Sequence, residues 1–378
     1  MSHQDEIIRE VRDFADQEIR PYASVFETNE AIPRNLIQKM ASRGYLGACF
    51  PKEYGGLSLD PIYYGYFTEE IGKACCSTRS LLTVHTSLVG ETILRFGNEY
   101  QKKKWLPAMV RGEKIGAFAL SEPEIGSDAK SVRTSYCKQG SAYVLNGRKK
   151  WITFGGIADL FMVIASNNEE ITAFLVERDF KGVTTIPIKG LLASRAAYIA
   201  EVVLENVTVP EENVLGRPSS GFTYIVSSAL DSGRYSIAWA GLAIAQEAFE
   251  QMVTYSRTRS QFGQKIRNFQ LVRGMIADAL TKIHAARALC LRAGKLRQEN
   301  NPESAIETMI AKFFSSQIAL QVASDAVQVH GANGCCSQYS VERLFREAKL
   351  LEIIEGTSQI LQNVISSYAL RNHSNSVD

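Results

Sequence analysis

Three regimes of hydrophobic spacing follow one another along the chain. From Asp5 to about Arg111, apolar residues recur at helical intervals. In IIREVRDFADQEI this spacing sets Ile8, Val11, Phe14 and Ala15 near one face. IPRNLIQKMASRG, YGYFTEEIGKAC and EYQKKKWLPAMV continue the pattern. PKEYGGL breaks it between helices. The middle of the chain has a different period. AFAL, SAYVLNG, LFMVIAS, ITAFLVE, GVTTIPI and AEVVLENVTVP are short runs rich in Val, Ile, Thr and aromatic residues. Turn formers such as Asn167-Asn168 and Lys181-Gly182 separate them. Short strands in succession predict a compact antiparallel β domain of roughly 100 residues.

Beyond Pro210 and Gly216 long helices return. SIAWAGLAIAQEAFEQMV is heavy in Ala and Gly, which lets neighbouring helices approach closely. Asn301-Pro302 reads as an N-cap followed by proline at the first helical position, opening a helix that stops at the glycines of HGANG. A last helix is predicted to begin near Thr357. The fold class is therefore α+β, with no internal repeat. An N-terminal all-α domain is expected over residues 1–115, a middle antiparallel β domain over 116–216 and a C-terminal helical bundle domain over 217–378.

Composition narrows the class. With 378 residues, 45% of them hydrophobic and 22% charged, the chain is globular rather than disordered or collagen-like. A net charge of +2 argues against a general nucleic-acid binder. The seven cysteines include the adjacent pairs Cys75-Cys76 and Cys335-Cys336 but no CxxC, so zinc-type spacing is absent and no metal is expected. The opening MSHQDEIIREVRDF lacks the apolar core of a secretory leader, and no apolar run approaches the ~20 residues of a membrane span. A cytoplasmic location is expected, with neither nucleic acid nor membrane as partner.

Four stretches carry candidate chemistry. FALSEPEIGSDAKS, residues 118–131, joins a strand end to Ser121, a Pro turn, Gly126 and Ser127. Its N–H groups and hydroxyls suit an anion or a polar ring edge, or they form an ordinary Asp/Ser/Gly loop. KKWITFGG places Trp151 and Thr153 on one side of a strand, over an aromatic cofactor or in a core. SRTRSQFG, residues 256–263, gathers Arg257 and Arg259 beside Gln261, Phe262 and Gly263, as a diphosphate clamp or a solvated helix end. In REAKLLEIIEGTSQI, Glu355 lies between Ile353-Ile354 and Gly356. It is a partly desolvated general base or an acid capping the next helix.

Taken together and in this order, GNEYQKKKWLP, FALSEPEIGSDA, KKWITFGGIAD, SRTRSQFGQKIRNFQ, QVHGANG and VERLFREAKLLEIIEGTSQI resemble the signatures of the acyl-CoA dehydrogenase family of flavoproteins. The resemblance covers nearly the whole chain. It implies a helical domain, a β domain and a C-terminal four-helix bundle, with FAD between the last two and a second subunit closing its adenosine half. A homodimer or homotetramer follows. Leu120, Ser121, Trp151 and Thr153 match the flavin side. Arg259, Gln261, Phe262, Gln270, Gln328, Gly331, Thr357 and Gln359 match the pyrophosphate and adenosine side.

The implied reaction removes an α-proton and a hydride from an acyl thioester. Glu355 of the EGT motif matches the family's usual base, because the other position used for it holds Gly233 here. If Glu355 is not the base, Glu122 and Glu124 come next. Arg234 matches an arginine that organises the site, and Ser127, Arg234, Tyr235 and Trp239 are the substrate-side candidates. Tyr235 and Trp239 stand four apart on one helix; rings facing inward restrict the pocket to a small acyl group, and the alternative is that they pack elsewhere. Two positions depart from the family pattern: Phe154 replaces Asn in WITNG, and Ala332 follows Gly331 where the family has paired glycines.

A narrower resemblance links LDSGRYSIAWAG and EAKLLEIIEGTSQ to the branch found in polyketide and mixed peptide–polyketide pathways. It implies a short hydroxyacyl or aminoacyl unit held on an acyl carrier protein, used in antibiotic-type secondary metabolism. The alternatives are a short- or branched-chain acyl-CoA dehydrogenase forming a 2-enoyl-CoA, a flavin monooxygenase or nitroalkane-type oxidase, which Glu355 argues against, and a non-catalytic carrier-protein scaffold. The electron acceptor is expected to be an electron-transfer flavoprotein or oxygen.

Overall fold

In the computed structural model, which describes residues 2–168 and 170–372, helices precede and follow a sheet. The first helices are α1 (His3–Phe14), α2 (Ala23–Asn29), α3 (Arg34–Ser42), α4 (Pro61–Ala74), α5 (Cys76–Leu81), α6 (Glu91–Phe96) and α7 (Glu99–Val110). The strands are β1 (Gly116–Ala119), β2 (Ser135–Gln139), β3 (Ala142–Ile152), β4 (Leu160–Asn167), β5 (Glu170–Glu177), β6 (Val183–Pro187), β7 (Ala200–Pro210) and β8 (Val214–Leu215). Then come α8 (Ser227–Thr258), the hairpin β9 (Ser260–Gln261) and β10 (Gln264–Lys265), α9 (Gln270–Gln298), α10 (Ser304–His330), α11 (Val341–Leu351) and α12 (Ser358–Asn372). Among the described residues, no helix is long and apolar enough to cross a membrane. The chain divides into two units, one of Met1–Ser24, Pro61–Arg79 and Arg234–Asp378, the other of Val25–Asp60 and Ser80–Gly233.

The first unit is helical. Ser2 and Asp5 cap α1 reciprocally: Ser2 Oγ accepts from Asp5 N at 3.2 Å, and the Asp5 carboxylate accepts from Ser2 N at 2.8 Å. The buried face of α1 is Ile7, Val11 and Phe14, continued by Ala15. Ile7 replaces the expected Ile8, because i, i+4, i+7 tracks 3.6 residues per turn better than i, i+3, i+6. The Ala- and Gly-rich stretch of α8 does bring helices close. A Cβ on Gly241 would lie 2.6 Å from the Ser315 carbonyl carbon of α10. α10 opens at Ser304, two residues later than expected, because Asn301 Oδ1 accepts from Glu303 N at 2.9 Å and forms a turn before the helix. It closes at Gly331, whose φ is +60°.

The second unit holds the sheet, in the order β6-β7-β3-β2-β4-β5-β8 with β1 beside β4. The sheet is mixed rather than antiparallel. β1 runs parallel to β4 over four residue pairs, and β2 meets β4 parallel at Ser135 and Ser166. The β2–β3 hairpin intervenes before the chain returns as β4, so β4 runs in the direction of β1. Leu160–Ala165 is buried at every position, the continuous apolar run of a strand covered on both faces. His85, in a buried π-helical stretch (Leu82–Gly90), supports β1: Gly116 N donates to His85 Nδ1 at 3.0 Å. Burial lowers the His85 pKa to about 4, so the ring is neutral.

Candidate functional site

Each unit carries part of the set of residues singled out above. In the first, α11 ends at Leu351 and residues 352–357 turn the chain into α12, with Ser358 N donating to Glu352 O at 2.9 Å. Glu355 and Gly356 both lie in the left-handed region, at φ +54° and +97°. For a glutamate this is uncommon, and such strain gathers where geometry is demanded. Arg234 Nε, from α8, donates to Glu355 O at 2.9 Å. Lys312 Nζ, from α10, donates to Gly356 O at 2.7 Å. The Glu355 side chain is inaccessible at Oε2, and that atom has no hydrogen-bond partner among the described residues. Burial pushes its carboxyl pKa up to about 7, against the opposing pull of Arg234 and Lys312. Glu355 does not act as a cap here; Thr357 Oγ1 accepts from Ile360 N at 3.3 Å instead.

Tyr235 and Trp239 share a face, as their spacing implies, and both are core side chains of this unit. Tyr235 Oη donates to Pro61 O at 2.8 Å, and its ring lies 4.8 Å from the Arg297 guanidinium. Trp239 lies edge-on to Tyr66, with ring centroids 5.3 Å apart, and sits over Gly65, where a Cβ would come within 2.1 Å of Cε2. The shared face is thus turned to α4, and the alternative of packing elsewhere describes both rings. Gly65→Ala should therefore destabilise the protein by about 1–3 kcal/mol through overpacking. The urea midpoint measures this, and adding Trp239→Leu should restore most of the loss. An unchanged midpoint in Gly65→Ala would mean that the ring is free to move.

Apart from the half-buried Thr357, the dinucleotide-side candidates of this unit are exposed. Arg259 precedes the β9–β10 hairpin, whose two-residue loop Phe262-Gly263 has φ +51° and +76°, a type I′ geometry that favours Asn or Gly over a bulky ring. Phe262 is nevertheless 93% exposed, with its ring edge-on to Phe269. Gln261, Gln270, Gln328, Gly331 and Gln359 are also exposed, and Ala332 lies in the turn after α10. A guanidinium, several amides and an open aromatic face suit a diphosphate and a ribose–adenine moiety.

In the second unit, the loop after β1 is fixed by a network that sequence reasoning missed. Glu122 accepts from Arg133 N, Thr134 N, Thr134 Oγ1 and Lys149 Nζ at 2.7–2.8 Å. Burial raises its pKa, but Lys149 and these donors outweigh that and hold the carboxyl below the ordinary range. Lys149 Nζ also donates to Leu120 O at 3.0 Å, and Lys150 N donates to Ser121 O at 2.9 Å. With both its oxygens occupied, Glu122 is unsuited to take a proton. Glu124 is exposed and pairs with Arg133. Ser127 sits exposed in the same loop.

Trp151 and Thr153 do not share one side of a strand, contrary to the expectation from a period of two. The β3–β7 register shifts between Lys149 and Ile152, Trp151 takes φ +64°, and Thr153 lies beyond the strand end. The bulge leaves Trp151 half-exposed, which fits a ring offered to a flavin. Phe154, at φ +58°, is fully buried with its ring centroid 6.1 Å from that of Tyr198, so this departure from the family pattern fills a core.

The chain matches three family profiles: acyl-CoA dehydrogenase N-terminal domain over residues 1–113, middle domain over 117–207 and C-terminal domain over 219–370. It is 38% identical over 377 residues to the short-chain-specific acyl-CoA dehydrogenase of Clostridium acetobutylicum, covering 98% of this chain and 99% of that one. Among solved structures, butyryl-CoA dehydrogenase from Megasphaera elsdenii superposes with a TM-score of 0.95 at 34% identity, covering 98% and 99% of the two chains. A chain from a study of the electron transferring flavoprotein of Acidaminococcus fermentans also superposes with a TM-score of 0.95, at 37% identity and 98% and 99% coverage. The prolyl acyl carrier protein oxidase AnaB follows at 0.91 and 30%, covering 97% and 99%.

Proposed function

The chain belongs to the acyl-CoA dehydrogenase family, and from that premise we propose that it oxidises a short acyl-CoA, with Glu355 as the base that takes the α-proton. Membership makes it an oxidoreductase acting on the CH–CH bond of acyl thioesters, with FAD as cofactor. The observation that carries the reading is the Glu355 Oε2 atom, shut off from solvent and without a donor among the described residues, on a carboxyl whose pKa lies near 7. An α-proton is weakly acidic, so its acceptor must be desolvated and basic near the working pH. Arg234 holds the Glu355 backbone and so aims the carboxylate.

Bound FAD supplies the hydride acceptor. Leu120, Ser121, Trp151 and Thr153 hold its flavin half in this reading. Arg259, Gln261, Phe262, Gln270, Gln328, Gly331, Thr357 and Gln359 hold the dinucleotide half. The exposed Phe262 and Leu271, at 93% and 82%, support a second subunit closing over that half. Likeness to the Acidaminococcus structure supports an electron-transfer flavoprotein as acceptor.

The short-chain and butyryl-CoA relatives favour CoA over the carrier-protein substrate to which the narrower resemblance pointed. Tyr235 and Trp239, packed in the core, no longer argue for a small acyl group; the relatives do. Likeness to the prolyl carrier-protein oxidase keeps a carrier-bound unit as the second reading. Anaerobic titration of the flavin absorbance separates the two. Butyryl-CoA should bleach it stoichiometrically and release a 2-enoyl-CoA. Bleaching by butyryl- or prolyl-carrier protein alone would reverse the assignment.

A further inference from the structure

Lys312 is a fully buried lysine on a helix whose neighbouring positions Ile306, Thr308, Ala311, Ser315 and Ser316 are also buried. An ammonium group in such a place costs stability unless a partner uses it. None of the described carboxylates lies within ion-pair distance of it. Its Nζ donates to Gly356 O at 2.7 Å, one peptide beyond the carbonyl gripped by Arg234 at 2.9 Å. Two cations from two helices therefore hold successive carbonyls of the left-handed turn that presents Glu355. The charged groups facing Lys312 are Glu355 and Glu352 from the turn and Arg234 from α8.

We infer that Lys312 is a positioning residue for proton transfer: it pins the Glu355–Gly356 turn through the Gly356 carbonyl and faces the Glu355 carboxylate with a positive charge. This rests on the reading of Glu355 as the base. A capping lysine with no other task would tie down the turn without affecting when Glu355 ionises.

The test uses the FAD-loaded protein and butyryl-CoA. The base must be ionised, so the exchange rate of the α-proton rises with pH through its pKa. Removing a facing positive charge makes ionisation harder and moves that limb to higher pH. Lys312→Gln keeps a donor but loses the charge, and should move the limb up by roughly one pH unit. Lys312→Arg keeps the charge and should leave it in place. A midpoint common to wild type and both variants would overturn the inference, whatever the loss in rate.

A second measurement leaves Lys312 intact, in case its variants do not fold. The lysine 13Cε resonance of Lys312 is titrated in wild type and in Glu355→Gln. Coupled charges act reciprocally, so losing the carboxylate should lower the ammonium midpoint. An unmoved midpoint would also overturn the inference. Failure of the base reading looks different: Glu355→Gln would then still exchange the α-proton, whatever Lys312 does.

Discussion

Glu355→Gln should bind FAD normally and lose roughly three to four orders of magnitude in α-proton exchange and flavin reduction. The amide keeps the shape of the side chain, and the Arg234 and Lys312 bonds go to backbone carbonyls that the substitution does not touch. What disappears is the only function assigned to Oε2. Stopped-flow flavin reduction with butyryl-CoA and deuterium wash-in measure the two steps. Turnover close to that of wild type would move the base away from position 355.

The same variant should be more stable than wild type above neutral pH. The folded-state pKa of Glu355 is raised from 4.5 to about 7. Between those values the folded state holds a proton that the unfolded state has released, so stability falls as pH rises through the window. Glutamine mimics the protonated form and avoids the loss, a gain of at most about 3 kcal/mol at pH 8 that vanishes near pH 4. Thermal midpoints at the two pH values test the sign. An equal difference at both would mean that the carboxyl is not perturbed by burial.

The largest effect on stability should come from Glu122→Ala, at about 3–5 kcal/mol, because it strands Lys149 inside the second unit. Both residues are buried, and the Lys149 ammonium already sits with its pKa lowered to about 8 by burial. Removing the carboxylate also leaves the N–H groups of Arg133 and Thr134 without their acceptor. The loop bearing Leu120 and Ser121 is tied to this ion pair, so FAD should be retained less well at equal protein concentration. Urea unfolding and flavin content after gel filtration report the two effects. Replacing both partners with apolar residues, as Glu122→Leu with Lys149→Met, should recover much of the stability. A wild-type unfolding curve for Glu122→Ala would show that the pair contributes nothing.

The helix–sheet–helix order was legible because the period of apolar positions switches twice along the chain. Strand direction was not, since a period of two looks the same in either direction; the parallel β1–β4 pairing depends on the excursion through β2 and β3. Trp151 and Thr153 were misplaced because a bulge breaks the alternation that the argument assumed. Tyr235 and Trp239 were correctly put on one face, but spacing along a helix does not say which neighbour that face meets; Gly65, 170 residues before Tyr235, decides it. The turn before the last helix that carries Glu355 was legible from its motif, while the role of Glu355 as base is a proposal. The polar network of Glu122 and Lys149, and the role of Lys312, were not, because each pairs residues far apart in the chain. An isolated lysine in MIAKFF was the one local trace of the latter.

Gly241 and Arg234 lie seven residues apart on α8, and Ser315 and Lys312 lie three apart on α10, so each pair shares one side of its helix. The missing methyl at Gly241 thereby acts as a gauge block, setting the gap across which the two cations reach their carbonyls. A single added carbon at that point would wedge the helices apart and let go of the base from a distance, without altering any residue that handles the substrate.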